Sequence, residues 1–96
     1  MGLAFEWDRR KAALNQRKHA VGFEEAITVF DNPLTLIFDD DEHSDEEQRE
    51  IAIGHSARSR LLLVSFVERR PSVVRVISAR LTTKKERQDY EENATI

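Results

Sequence analysis

RLLLVSFVERRPSVVRVISARL, residues 60–81, decides the fold. Two runs rich in β-branched and aromatic residues, 60–68 and 72–81, read as strands that are apolar on both faces and therefore central in a sheet. The connection between them, Arg69-Arg70-Pro71-Ser72, is too short for a helical crossover, so the two strands form an antiparallel hairpin. The same logic extends backwards. REIAIGHS (49–56) meets the first of these strands through Ser56-Ala57-Arg58-Ser59, and LTLIF (34–38) supplies a further strand-like run.

Ahead of the strands the periodicity is helical. Asp8–His19 opens on an N-cap candidate and contains no helix breaker. In GFEEAITVF, Phe23, Ala26, Ile27 and Phe30 recur at spacings of three and four, with Gly22 as cap and Asp31-Asn32-Pro33 as stop. Phe5 and Trp7 read as a short strand or as a hydrophobic anchor for the first helix. After the last strand, Thr82-Thr83-Lys84-Lys85-Glu86 pairs a capping hydroxyl with a nearby carboxylate and starts a closing helix that runs to about Glu92. The expected architecture is a single α+β domain over residues 1–96: two N-terminal helices, an antiparallel sheet of about four strands, and a C-terminal helix.

Composition narrows the class of function. Ninety-six residues with 40% hydrophobic and 34% charged side chains describe a folded chain with one modest core. The absence of cysteine removes disulfides and thiolate metal sites, and a reducing cytoplasm is the expected location. No apolar run reaches the ~18 residues that span a bilayer, and MGLAFEWD carries no secretion or myristoylation signal, so no membrane partner is expected. The net charge of −3 conceals an asymmetry, because DDDEHSDEEQRE (39–50) holds eight acids against one arginine. From Ile51 onward nine basic residues face five acids, which leaves room for a phosphate-binding surface on an acidic chain.

Four sets of residues can carry chemistry. On the first helix Lys11, Asn15 and Lys18 share a face, with His19 beside them. They read either as a phosphate-binding, proton-transferring cluster or as a solvated face whose histidine complements the helix dipole. Arg80, at the end of the last strand, reads either as a pre-organised phosphate ligand or as the partner of Glu24, Glu25 or Glu50. Lys84, Lys85 and Arg87 place cations where the helix dipole opposes them, which suggests a demand for positive charge. His43 lies among hard oxygen donors, but the spacing matches no calcium loop, and His55 reads as a structural histidine near a sheet edge. Neither a nucleophile triad nor a glycine-rich phosphate loop is present.

Taken in order, FEWDRRKAALNQRKHAVGFEEAITVF, REIAIGHSARSRLLLV and RVISARLTTKKERQDYEE resemble the BrnT family of toxins from type II toxin–antitoxin modules over nearly the whole chain. The resemblance implies a RelE-like ribonuclease fold. It also implies cleavage of mRNA without metal or other cofactor, through attack of the 2′-OH on the adjacent phosphate, and inhibition of translation. The implied partners are single-stranded RNA and a BrnA-type antitoxin, with operator DNA reached only through that antitoxin. His19 is then expected as proton-transfer group, Arg80 as principal phosphate ligand, and Lys18 and Arg87 as supporting cations. Lys11, Asn15, Arg49, Arg60, Lys84 and Tyr90 are expected on the RNA surface. This assignment requires the end of the first helix and the tip of the last strand to lie side by side. The alternatives are a non-catalytic toxin-like module or co-repressor, and a ParE-type gyrase inhibitor. One departure from the family pattern is Ala20, where glycine is usual after the Lys-His pair.

Overall fold

The computed structural model describes residues 2–43 and 47–94. Strands β1 (Ala4–Glu6), β2 (Leu36–Asp39), β3 (Arg49–His55), β4 (Leu61–Arg70) and β5 (Val73–Leu81) form one sheet in the order β1-β5-β4-β3-β2. Helices α1 (Arg9–His19), α2 (Phe23–Ala26) and α3 (Lys84–Ala94) surround it, and α2 tightens into a 3₁₀ turn over Ile27–Asp31. The α+β class and the two hairpins follow the sequence reading. The sheet has one more strand than expected and is mixed, because β1 pairs parallel to β5 with Ala4 opposite Val73 and Glu6 opposite Arg75.

Two apolar clusters hold the layers together. On one face Val64, Val74, Val76 and Ala79 meet Val21, Phe23, Ala26 and Val29. On the other, Ile53, Leu61 and Leu63 meet Tyr90 and Ala94 of α3. A fully buried Phe or Leu contributes roughly 1.5–3 kcal/mol, so the first and larger cluster is the principal driving force. An aromatic row connects β1 to it: Phe5 lies 5.3 Å from Phe30, and Phe30 lies edge-on to Phe66 at 5.0 Å. Trp7, 5.8 Å from Phe23, is the anchor at the start of α1. Between β3 and the β2 approach the fit is so close that a Cβ on Gly54 would stand 1.9 Å from Thr35 Oγ1.

Both ends of α1 are set locally. Asp8 Oδ1 accepts from the backbone N–H of Arg10 (2.8 Å) and Lys11 (3.2 Å), as a cap should. The helix stops at Ala20, which is left-handed (φ 56°, ψ 36°), while Gly22 keeps an ordinary extended conformation (φ −84°). The turn therefore falls on the residue with a Cβ, not on the glycine two positions later. Since Ala pays a steric cost in that region that Gly avoids, Ala20→Gly is expected to raise stability by about 1 kcal/mol. Thermal denaturation should show an increase of about 4–8 °C in Tm for a domain of this size. An unchanged midpoint would mean that the strain at Ala20 is negligible.

Candidate functional site

Alternation along β5 decides which side chains meet. Ala79 faces the first cluster beneath α1, so Arg80 emerges on the opposite face of the sheet, beside Leu63, its cross-strand partner. Two residues past the strand, Thr83 caps α3. Its Oγ1 accepts from Glu86 N–H (3.1 Å), and Glu86 Oε1 accepts from Thr83 N–H (2.8 Å). This reciprocal cap aims the Glu86 carboxylate at the strand end, where Arg80 Nη1 and Nη2 donate to its two oxygens at 2.8 and 2.9 Å. Arg80 Nη1 donates also to Leu81 O at 3.2 Å. What remains without a protein acceptor among the described residues is the Nε–H and the outer Nη2–H. That pair is the side-on fork of the guanidinium, suited to two oxygens of a phosphate.

The Arg80 bonds, then the Thr83 N–H, hold the Glu86 carboxyl down at about 2, against an ordinary value of 4.5. The folded-state value is the lower one, so the pair's stabilisation is complete above about pH 4.5 and drains away as pH falls toward 2. In an acid titration followed by circular dichroism, the wild-type chain should lose stability through that window more steeply than a Glu86→Gln variant. Parallel curves would show that the pair contributes nothing to folding.

Arg80 lies in an open groove of about 350 Å³ on the sheet, lined by Arg49, Ser65, Ser78 and Glu86, by Ile51 and Leu63 at its floor, and by Asp40 and Glu42. Two guanidiniums and two hydroxyls on the sheet can donate to an anion, against the carboxylates of Asp40, Glu42 and Glu86 in the same lining. Lys84 and Arg87 are exposed at the start of α3, where Arg87 reaches Glu91 at 3.8 Å.

The other expected residues do not converge here. Lys11, Lys18 and His19 belong to α1, which packs on the far face of β5; among the described residues no hydrogen bond or ion pair joins them to the Arg80 groove. The end of α1 does lie beside the tip of β5, where Asn15 bonds both Val21 O and the Ala79 backbone, but Arg80 projects from the strand face opposite the cluster beneath α1, and no hydrogen bond joins its guanidinium to the His19 imidazole. Asn15 is buried, and its amide is consumed by the backbone of Val21 and Ala79. It clamps α1 to β5 and presents nothing to RNA. Tyr90 is buried too, edge-on to His55 at 5.7 Å with its hydroxyl donating to Leu34 O (3.2 Å), so it packs between α3 and the sheet. Arg60 bridges Glu25 and Ala20 O, and Ser56 Oγ donates to the same Glu25 at 2.6 Å. Those bonds, Arg60 foremost, hold the Glu25 carboxyl below its usual range. The network ties the ends of α1 and α2 to the β3–β4 hairpin, a structural task in place of the expected RNA contact.

Three participants were not among the expected site residues. Glu86, not Glu24, Glu25 or Glu50, is the partner of Arg80, and the Thr83-to-Glu86 capping spacing was the signal. Ser65 and Ser78, which face each other across β4 and β5, were visible as lone hydroxyls in otherwise apolar strands. The acidic stretch around His43 falls in part on residues 44–46, outside the described residues.

Comparison with known proteins is informative in two ways. The family model described as "Ribonuclease toxin, BrnT, of type II toxin-antitoxin system" matches residues 7–86. Among solved structures, the 1.1 Å crystal structure of the Brucella abortus ribonuclease toxin BrnT superposes with a TM-score of 0.66 at 21% identity, covering 85% of this chain and 99% of that one. At that identity the likeness establishes a shared fold. No curated protein sequence matches.

Proposed function

The chain belongs to the BrnT family of ribonuclease toxins of type II toxin–antitoxin systems, and from that premise we propose that it cleaves single-stranded mRNA at the groove centred on Arg80. The observation that carries this reading is the Arg80 guanidinium, fixed by Glu86 through one edge and open along its side-on fork. A phosphodiester seated there would meet a cation that needs no reorganisation, with Arg49 as a second source of positive charge in the same groove. Attack of the 2′-OH on its adjacent phosphorus breaks the P–O5′ bond, leaving a 2′,3′-cyclic phosphate and a 5′-OH. Charge gathers on the non-bridging oxygens during this step, and pre-organised donors aimed at them are the largest single contribution expected of such a site. Lys84 and Arg87 add positive potential at its rim. The proposal needs no metal, and it places the enzyme in the cytoplasm, where it blocks translation until a BrnA-type antitoxin neutralises it.

The test is cleavage of a single-stranded RNA by the purified chain in excess EDTA. Products ending in cyclic phosphate and 5′-OH are expected; a strict requirement for a divalent ion would overturn the metal-free mechanism.

A second reading, a toxin-like module that binds without cutting, has one observation in its favour. The carboxylate closest to Arg80 is held so acidic that it is a poor proton acceptor near neutrality. Intact RNA after prolonged incubation, with retained RNA binding, would favour it. Loss of DNA supercoiling control with RNA left whole would point instead to a gyrase poison.

A further inference from the structure

The sheet ends at β2, which pairs with β3 alone and leaves its outer edge unpaired among the described residues. Sheet margins are usually blunted by lysine, proline or charge turned inward. Here Ile37 is 51% and Phe38 46% exposed, and Leu34 just before them 54%. Phe38 and Leu36 form one wall of an apolar cleft of about 490 Å³; Asp89, Tyr90 and Asn93 of α3 form the other, over a floor of Ile51, Ile53 and Leu63. The cleft opens into the Arg80 groove, since Ile51, Leu63 and Glu86 line both.

Charge selects the occupant. Asp89 lines the α3 side, its carboxylate engaged only at the surface by Lys85 at 3.0 Å. On the other side, just beyond β2, Asp40 and Glu42 line the adjoining groove on the same face of the sheet. An RNA strand continuing from the groove would bring phosphates against these acids. A second copy adding its own β2 would bring a second set of acids to a margin that already carries Asp40, Glu42 and Asp89. A protein segment with apolar anchors and flanking lysines or arginines meets neither objection.

Resting on the toxin–antitoxin reading above, we propose that the β2 edge and the adjoining cleft dock the antitoxin, through a segment whose apolar side chains enter between Phe38 and Tyr90 and whose basic side chains meet Glu42 and Asp89. A segment seated there covers Glu86 and stands at the mouth of the Arg80 groove, so docking and exclusion of RNA are one event.

The test uses the full chain and the purified antitoxin of its own module as probe. Affinity is measured by titration calorimetry, and RNA cleavage by the free chain is assayed separately. Phe38→Ser is expected to weaken the complex by roughly 30-fold, the loss of a central apolar anchor, while cleavage by the free variant stays within about twofold of wild type. Asp89→Lys, a surface change that leaves the apolar cleft intact, should also weaken the complex, and added salt should weaken the wild-type complex. Wild type and both variants binding the antitoxin alike would overturn the docking surface and leave the toxin–antitoxin reading standing. Loss of RNA cleavage in a folded Phe38→Ser chain would give the cleft to RNA. A wild-type chain that ignores the antitoxin altogether would overturn both.

Discussion

Arg80→Ala is expected to lower the rate of RNA cleavage by roughly 10²–10³-fold, the usual consequence of removing one pre-organised donor from a charged transition state. Single-turnover cleavage of a labelled RNA in EDTA is the measurement. Truncation has a second effect, because Glu86 loses both of its Arg80 bonds and is left as an uncompensated carboxylate beside the groove. Repulsion of phosphate by that carboxylate would exaggerate the loss. The Arg80→Ala, Glu86→Gln double variant removes this contribution, and whatever deficit persists belongs to the guanidinium. Arg80→Lys retains the charge but not the fork, so a loss between wild type and Arg80→Ala is expected if bidentate geometry matters. His19→Ala should stay within a few-fold of wild type, since α1 packs on the other face of β5. A His19 variant as inactive as the Arg80 variant would move the catalytic centre to the end of α1.

How far the sequence could be read follows from the range of the interactions involved. β4 and β5 were legible because their apolar runs and their short connection are local. β1 was legible only as one of two options for Phe5 and Trp7, since a three-residue strand is too brief to show alternation and owes its existence to parallel pairing with Val73–Arg75, about seventy residues away. The capping spacing from Thr83 to Glu86 was plain. That the carboxylate would also capture Arg80 depends on the path of the chain between strand and helix, which no spacing rule supplies. Helix α1 misled for a different reason. Its polar stripe of Lys11, Asn15 and Lys18 reads as a phosphate-binding cluster or a solvated face, and in neither case as a buried clamp. The structure leaves Leu14 56% exposed and buries Asn15 to 6%. A polar residue whose partners are main-chain atoms of another element leaves no trace in a hydrophobicity pattern.

Asn15→Ala is accordingly expected to be among the most destabilising single changes in the chain, on the order of 3–5 kcal/mol by chemical denaturation. β1 covers β5 only from Val73 to Arg75, so the outer edge of β5 at Ala79 has no neighbouring strand. Asn15 supplies what that strand would have given: Nδ2 donates to Ala79 O at 2.8 Å, and Oδ1 accepts from Ala79 N–H at 3.0 Å. Nδ2 donates also to Val21 O at 2.9 Å, which fixes the chain just beyond the left-handed turn at Ala20. Truncation leaves three backbone groups short of a partner, each costing about 1–3 kcal/mol where water cannot reach it. Against a typical total of 5–15 kcal/mol, that approaches the whole stability of a small domain. Asn15→Asp separates hydrogen bonding from packing. It keeps the volume but, when ionised, loses the donor and faces two carbonyl oxygens, so it should be at least as destabilising as alanine near neutrality. Protonation restores a donor, and because burial among those carbonyls raises the carboxyl's folded-state value, the variant should regain stability relative to Asn15→Ala as pH falls below that value. If both variants melt like wild type, the clamp is dispensable and α1 is held by the apolar contacts of Ala12 and by the Arg60 bond to Ala20 O. If they fail as expected, the amide reaching across from the first helix joins the pairing with β4 in holding the strand end that carries Arg80.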